Sequence, residues 1–235
     1  MDPRYYSGVP DALGRASVAR DFMTRVYGWM SFGLALTAVI SLLTLQSNAL
    51  LALVLNRFVY IGLMLAEIGL VIYLSARLHK MSVGTATGAF LAYAVLNGLT
   101  LSVIFLVYTA QSIASTFFVS AGTFAAMSVI GYSTRRDLSG IGSFLMMGLI
   151  GLIIASLVNL FLRSDMMSWI LSVIGVLIFV GLTAYDTQKL KNMAADLDPL
   201  SDTATKTAII GALTLYLDFI NLFLYMLRLL GRRRD

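Results

Sequence analysis

Residues 148–162 read GLIGLIIASLVNLFL, and residues 32–45 read FGLALTAVISLLTL. Both runs are continuously apolar, without the alternation of polar and apolar residues that marks a membrane-spanning strand. In lipid, a helix satisfies all of its backbone hydrogen bonds within one segment. About 20 such residues cross the hydrocarbon core of a bilayer. The two runs therefore predict an all-α protein with membrane-spanning helices.

The composition of the 235-residue chain supports this class. Hydrophobic residues make up 59% and charged residues 12%, about half the charged fraction of a typical soluble domain. Disorder is excluded because a disordered chain needs low hydrophobicity. The chain has no cysteine and one histidine, so we expect neither thiol chemistry nor a cysteine-based metal site.

We predict seven spans, at about 26–46, 57–76, 83–108, 113–133, 141–162, 167–186 and 207–230. They divide the chain into an N-terminal arm (1–25), a single seven-helix transmembrane domain (26–230) and a basic tail (231–235). No soluble domain fits beside them. Nucleic-acid binding is not expected, because the net charge of +5 comes mostly from residues that flank spans.

Lysine and arginine predict the orientation, since they are enriched in cytoplasmic connectors. The arm and every second connector hold 11 of these residues, and the opposite connectors hold only Arg57 and Arg163. We therefore predict a multi-pass protein of the inner (plasma) membrane with a cytoplasmic N-terminus. The arginines of the tail break the pattern. Either the earlier spans fix the topology and the tail is tolerated, or the last segment is re-entrant and six spans are complete.

Asp218 lies in the middle of the last span. Thr214, Asn221 and Tyr225 stand at spacings that place them on the same helix face. This polar stripe should turn towards other helices, which predicts a central position for the last helix. The stripe is either a hydrogen-bonded clasp between helices or part of an ion site.

Three further charged residues lie in or at the end of spans, where charge is costly and usually functional. Asp186 ends the sixth span and is either an interfacial partner of Lys189 and Lys191 or a site residue. Arg77 ends the second span and is either a snorkelling anchor or functional. Glu67, the only glutamate of the chain, is either a protonated acid bonded to a neighbouring span or functional.

Smaller polar and small residues in the spans predict helix contacts. Asn97 and Asn159 are expected to donate hydrogen bonds between helices. The pairs Gly84–Gly88 and Gly122–Ala126 have the spacing of close helix packing.

Several segments resemble the Bax inhibitor-1 family of membrane proteins. They are TAYDTQKLK (183–191) and LYLDFINLFLYMLRLLG (215–231) in the last two spans, MTRVYGWMSFGLALTAVI (23–40), SARLHKMSVG (75–84) and RRDLS (135–139). The similarity runs from about residue 23 to 231. It implies a seven-helix fold in which the other six helices wrap the last one. It also implies a pH-sensitive calcium leak in bacterial members, and calcium handling with suppression of cell death in eukaryotic ones.

The resemblance also implies roles for particular residues. The paired aspartates of the family correspond to Asp186 and Asp218, and its span-two glutamate to Glu67. The arginine that holds the closed state by bonding to one aspartate corresponds to Arg77. One departure is the long acidic connector between the aspartates, with Asp196, Asp198 and Asp202, which we expect to alter the cytoplasmic mouth.

The physical chemistry of a carboxylate pair suits such a leak. Two carboxylates within about 4 Å in a poorly solvated site cannot both ionise cheaply, so they titrate as a coupled pair. Asp186 and Asp218 are the candidate calcium ligands, and Asn221, Thr214 and Tyr225 are candidate supporting residues. Asp218 lies about 16 Å into its span, whereas Asp186 ends the sixth span. They can meet only if the sixth helix continues past Lys189 or the last helix tilts.

We therefore predict a pH-sensitive calcium leak channel gated by protonation of Asp186 and Asp218, with Arg77 as a latch. The expected partners are lipid, calcium and protons, with no cofactor. The alternative is a non-conducting regulatory protein that binds other membrane proteins in stress or death control. A proton-coupled calcium exchanger and an intramembrane aspartyl protease are further rivals. For the protease only the Tyr-Asp half of the motif is present, because residues 215–218 read LYLD where the Gly-x-Gly-Asp element should stand.

Overall fold

The structure, a computed structural model, describes residues 12–77, 80–195, 197–199 and 201–234. Within these ranges the helices are α1 (Ala12–Gln46), α2 (Asn48–Leu55), α3 (Arg57–Arg77), α4 (Val83–Leu101), α5 (Ile104–Val107), α6 (Ala110–Ser133), α7 (Ser139–Leu162), α8 (Asp165–Ala194) and α9 (Asp202–Leu230). Seven segments are long and apolar enough to cross a membrane, with α4 and α5 together forming one of them. The prediction of an all-α protein with seven membrane-spanning helices is confirmed.

Short polar connectors separate the apolar runs, and a hydroxyl side chain begins most helices. At each of these positions the side-chain oxygen accepts a hydrogen bond from the backbone N–H three residues later. This bond satisfies one of the donors that a helix start leaves without a partner. The capping residues are Ser47, Ser82, Thr109, Ser164 and Ser201.

The helices differ in extent from several of the predicted spans. Helix α1 begins at Ala12 and so includes much of the predicted arm. The predicted third span breaks after Leu101, where the hydroxyl of Ser102 donates to the carbonyl oxygen of Leu99 at 2.6 Å and competes with the regular helix. Helix α8 continues for eight residues beyond Asp186, and α9 begins five residues earlier than predicted. Asp196 of the acidic connector and residues 1–11 of the arm lie outside the described residues.

Helix α9 lies at the centre of the bundle, as predicted. In its most apolar stretch 72% of the residues are buried, against 6% in α3 and 6% in α7. It packs directly on α1, α4, α6 and α8, while α3 packs on α4 and α7 on α8. The last helix therefore has four direct neighbours, and two further spans form an outer layer that faces lipid.

The two predicted pairs of small residues do not mark the close packing. A Cβ atom added at Gly88 or Gly122 would meet nothing within 4 Å. The tight contact is at Gly131 of α6, where a Cβ atom would overlap the carbonyl oxygen of Ala184 in α8. Glycine is required at position 131 because the backbones of α6 and α8 touch there. The residue contacted on α8, Ala184, lies two residues before Asp186 in the chain.

The start of α1 and the end of α9 lie at opposite ends of the bundle. One end holds the start of α1 and the connectors with Arg77, Lys80, Arg135 and Arg136, and we call it the basic end. At the far end the chain after α9 pairs with the start of α6: Thr109 N donates to Arg232 O at 3.1 Å. Helix α9 is continuous over 29 residues, or about 43 Å. It is therefore long enough to form a seventh span.

Candidate functional site

The structure brings Asp186 and Asp218 together between α8 and α9, the two helices that pack most extensively on each other. Both side chains are buried, with 9% of Asp186 and 4% of Asp218 exposed. The two carboxyl groups lie close enough to each other to interact electrostatically. The contact is possible because α8 stays helical past Lys189 to Ala194, which is the first of the two geometries that the sequence allows.

A hydrogen bond across this contact requires a proton. A carboxylate oxygen only accepts hydrogen bonds, so two carboxyl groups bond to each other only when one of them is protonated. Asp218 Oδ2 is buried and has no hydrogen-bond partner among the described residues. A proton shared between the two carboxyl groups would give this oxygen a partner.

The positive charge nearest to the pair along the chain comes from Lys189, one turn after Asp186 on α8. Its charge acts on the Asp186 carboxyl group, and its Nζ lies 5.8 Å from the centre of the Tyr185 ring. Arg77 is exposed at the last residue of α3. The expected bond between Arg77 and an aspartate is absent among the described residues, because α3 packs on α4 in the outer layer and not on α8 or α9.

The other residues of the predicted stripe do not touch Asp218 through hydrogen bonds. The Thr214 hydroxyl donates to Ile210 O at 3.1 Å, and Asn221 Nδ2 donates to Leu217 O at 2.8 Å. Tyr225 stacks on Phe179 of α8, with ring centres 5.9 Å apart. Thr214 and Asn221 thus both donate to a backbone carbonyl group one turn earlier in α9 and not to a side chain on another helix. The stripe therefore helps α9 pack on α8 but adds no ligand to the pair.

Glu67 belongs to a second polar cluster, between α3 and α4. Its carboxyl group accepts from the Thr100 hydroxyl at 2.8 Å and from Asn97 Nδ2 at 3.5 Å. The prediction that Glu67 faces the bundle is confirmed, as is the prediction that Asn97 donates between helices. Asn97 in turn accepts from the Tyr216 hydroxyl at 3.1 Å, which connects the cluster to α9.

The sequence reasoning missed Tyr216 and Thr37. Tyr216 is fully buried, and its hydroxyl lies 2.7 Å from Thr37 Oγ1 of α1. One hydroxyl of the central helix thus joins residues of α1 and α4. The sequence position of Tyr216 could have revealed its role. A tyrosine two residues before Asp218 lies on a different face of the same helix, and its hydroxyl needs its own polar partner when buried.

A third set of contacts fixes the end of α8 against the last turn of α6 and the connector that leads to α7. Gln188 Nε2 donates to Arg136 O at 2.8 Å, and Leu138 N donates to Gln188 Oε1 at 2.9 Å. Lys191 Nζ donates to Tyr132 O at 2.7 Å. These bonds hold the turn of α8 that follows Asp186, so they position that carboxyl group.

The pair offers few ligands to a metal ion. Within the described ranges no three Asp, Glu, His or Cys side chains form a cluster that could hold a metal ion. Calcium takes six to eight oxygen ligands, and the pair supplies two carboxyl groups.

Comparison with known proteins identifies the chain's relatives. The sequence model of the family described as "Inhibitor of apoptosis-promoting Bax1" matches residues 19–235. The chain belongs to the Bax inhibitor-1 family. It is 56% identical over 216 residues to the Escherichia coli protein named "Inner membrane protein YbhL", covering 91% of this chain and 92% of that protein.

Other members of the family are similar over the same length. An uncharacterized protein of Borreliella burgdorferi is 46% identical over 219 residues, which is 93% of this chain and 94% of that protein. An uncharacterized protein of Rickettsia prowazekii is 46% identical over 216 residues, with 92% and 91% covered. The family model covers the chain from residue 19 onward, and Asp186 and Asp218 lie within the matched range.

Proposed function

We propose that this protein is a calcium leak channel of the inner membrane, gated by protonation of Asp186 and Asp218. The observation that carries the proposal is the buried contact between their carboxyl groups, across the two most closely packed helices. Membership of the Bax inhibitor-1 family and the name of the Escherichia coli relative support the cellular setting. The channel is a membrane protein without a resident cofactor in this proposal.

The shared proton holds α8 and α9 together at the pair. When it leaves, two neighbouring negative charges remain, and two unit charges about 4 Å apart repel by about 4 kcal/mol at an effective dielectric constant of 20. That energy is released if the helices separate or if a cation enters between the carboxylates. Loss of the proton therefore favours opening and cation entry at the same time.

In this proposal the described geometry is the closed state. Both carboxyl groups are almost fully buried, so an ion reaches them only after α8 and α9 move apart. The bonds from Gln188 to the α6–α7 connector and from Lys191 to the last turn of α6 hold the end of α8, which leaves α9 to move.

Calcium entry into liposomes that contain only this protein tests the proposal. We expect flux to rise with pH, by about tenfold per pH unit below the midpoint, because a single proton is released. Asp186→Asn removes that proton equilibrium and should make flux independent of pH. The matched control is Asp165→Asn, an exposed aspartate at the far end of the same helix, which should keep the wild-type profile.

Two outcomes contradict the proposal. Coinciding pH profiles for the wild type and Asp186→Asn refute the carboxylate gate. Absence of flux at every pH, from protein that is folded in the liposomes, refutes conduction and favours the regulatory alternative.

We also propose that the pair has no hydrolytic role. Two aspartates that share a proton form the catalytic pair of aspartic proteases, but here they are buried and Asp218 follows the bulky residues Leu215, Tyr216 and Leu217. Cleavage of a membrane-anchored reporter, blocked by an aspartyl-protease inhibitor, would contradict this part.

A further inference from the structure

A groove runs along the bundle between α1 and α6, with a volume of about 560 Å³. All of its lining residues come from these two helices. Because both helices cross the membrane, the groove opens sideways towards lipid. It is separate from the carboxyl pair, which does not line it.

The groove is polar at one end and apolar beyond it. Arg20, Thr24, Tyr132 and Ser133 line it at the basic end. Deeper in the membrane its walls are mostly apolar: Met30, Phe124, Ala125 and Val129 form them, with Ser128 as the polar exception. This gradient along the membrane normal matches an amphiphile whose polar group lies at the bilayer surface.

The polar end carries positive charge that the protein itself does not neutralise. Arg20 is exposed, and its guanidinium group makes no hydrogen bond or ion pair with any described residue. The ammonium group of Lys191 lies 4.8 Å from the centre of the Tyr132 ring, so a second cation stands beside the same wall. Asp21 lines a different depression, together with Arg25.

We propose that this groove binds an anionic phospholipid, with the phosphate at Arg20 and one acyl chain between α1 and α6. A guanidinium group matches the geometry of phosphate oxygens through paired hydrogen bonds. The apolar walls lie at membrane depth, where unfilled space loses dispersion contacts. A chain of methylene groups fills such a groove, whereas a free phosphate ion would leave it empty.

Lipid retention measured by native mass spectrometry tests the site. The purified protein is mixed with phosphatidylglycerol and phosphatidylcholine that carry identical acyl chains. We expect preferential retention of phosphatidylglycerol. Arg20→Gln should weaken that retention by about fivefold, the effect of one basic residue near an anionic surface. Arg135→Gln, which changes an exposed arginine at the same end outside the groove, should not.

A second pair of variants tests the acyl-chain part. Ala125 and Ala126 are neighbouring exposed residues of α6, and only Ala125 lines the groove. Ala125→Trp should fill the groove and abolish retention of both lipids without disturbing the core. Ala126→Trp should leave retention unchanged.

The proposal is overturned if the two lipids are retained equally, or if Arg20→Gln and Arg135→Gln behave alike. It is also overturned if Ala125→Trp leaves retention unchanged. A change of oligomeric state in Ala125→Trp without loss of lipid would identify another helix as the occupant, and would equally refute a lipid site.

Discussion

Replacement of Gly131 by alanine tests the contact that holds α6 against α8 beside the carboxyl pair. A Cβ atom at this position would overlap the carbonyl oxygen of Ala184 and lie 2.8 Å from both its carbonyl carbon and its Cα. All three atoms belong to the backbone, so no side chain can rotate aside. The two helices must therefore move apart.

The cost follows from two opposing effects. Overpacking of a closely packed contact destabilises a protein by about 1–3 kcal/mol, and a backbone contact belongs at the upper end of that range. Alanine gains up to about 1 kcal/mol over glycine in helix propensity. We expect Gly131→Ala to lower the free energy of unfolding by about 2 kcal/mol.

Gly122→Ala is the matched control. Gly122 lies on the same helix, and a Cβ atom there meets nothing within 4 Å. Only the gain in helix propensity applies, so this variant should be unchanged or more stable by up to about 1 kcal/mol. Reversible unfolding in mixed micelles, followed by circular dichroism, measures both variants against the wild type. Equal stability of Gly131→Ala and Gly122→Ala would refute the close α6–α8 contact.

Three further predictions concern the polar residues and the topology. Glu67→Gln should be tolerated better than Glu67→Leu in the same unfolding experiment, by about 1 kcal/mol, because only Gln still accepts from Thr100; equal losses would contradict the hydrogen-bonded role. Lys189→Gln should move the flux–pH curve to higher pH, since a nearby positive charge that favours the deprotonated pair is lost. Arg77→Gln should leave the curve in place. The reverse result would restore Arg77 as the latch. Fusion reporters should find the N-terminus in the cytoplasm and the C-terminus outside, and both termini on one side would be incompatible with seven spans.

The sequence was sufficient for the features that depend on the solvent preference of single segments. Long uncharged runs such as residues 148–162 form helices because lipid offers no partner to the backbone. The polar stripe around Asp218 correctly predicted a central last helix, since only the bundle interior accepts a carboxyl group at that depth. The isolated glutamate at position 67 likewise had to face another helix.

Tertiary structure decided which side chains meet. The hydroxyl of Thr214 and the amide of Asn221 lie on the same face as Asp218, yet they bond to their own helix, and periodicity cannot distinguish these outcomes. Arg77 lies at the expected end of the membrane but in the outer layer, because the packing of α3 on α4 separates it from the pair. Position along the membrane normal is readable from sequence, whereas the partner of a particular side chain within the bundle is not.

The contact between Asp186 and Asp218 shows the same division. The sequence predicted that the sixth span ends at Asp186, because the residues that follow are polar and unfavourable in lipid. Those residues continue α8 as a helix, since Gln188 finds partners in the α6–α7 connector and Lys191 finds one in the last turn of α6, 50 to 59 residues earlier in the chain. The sequence determined that both acids lie within the membrane domain. Only the packing of distant segments determined that they share one site, because the partners that hold α8 in place are set by the fold and not by neighbouring residues.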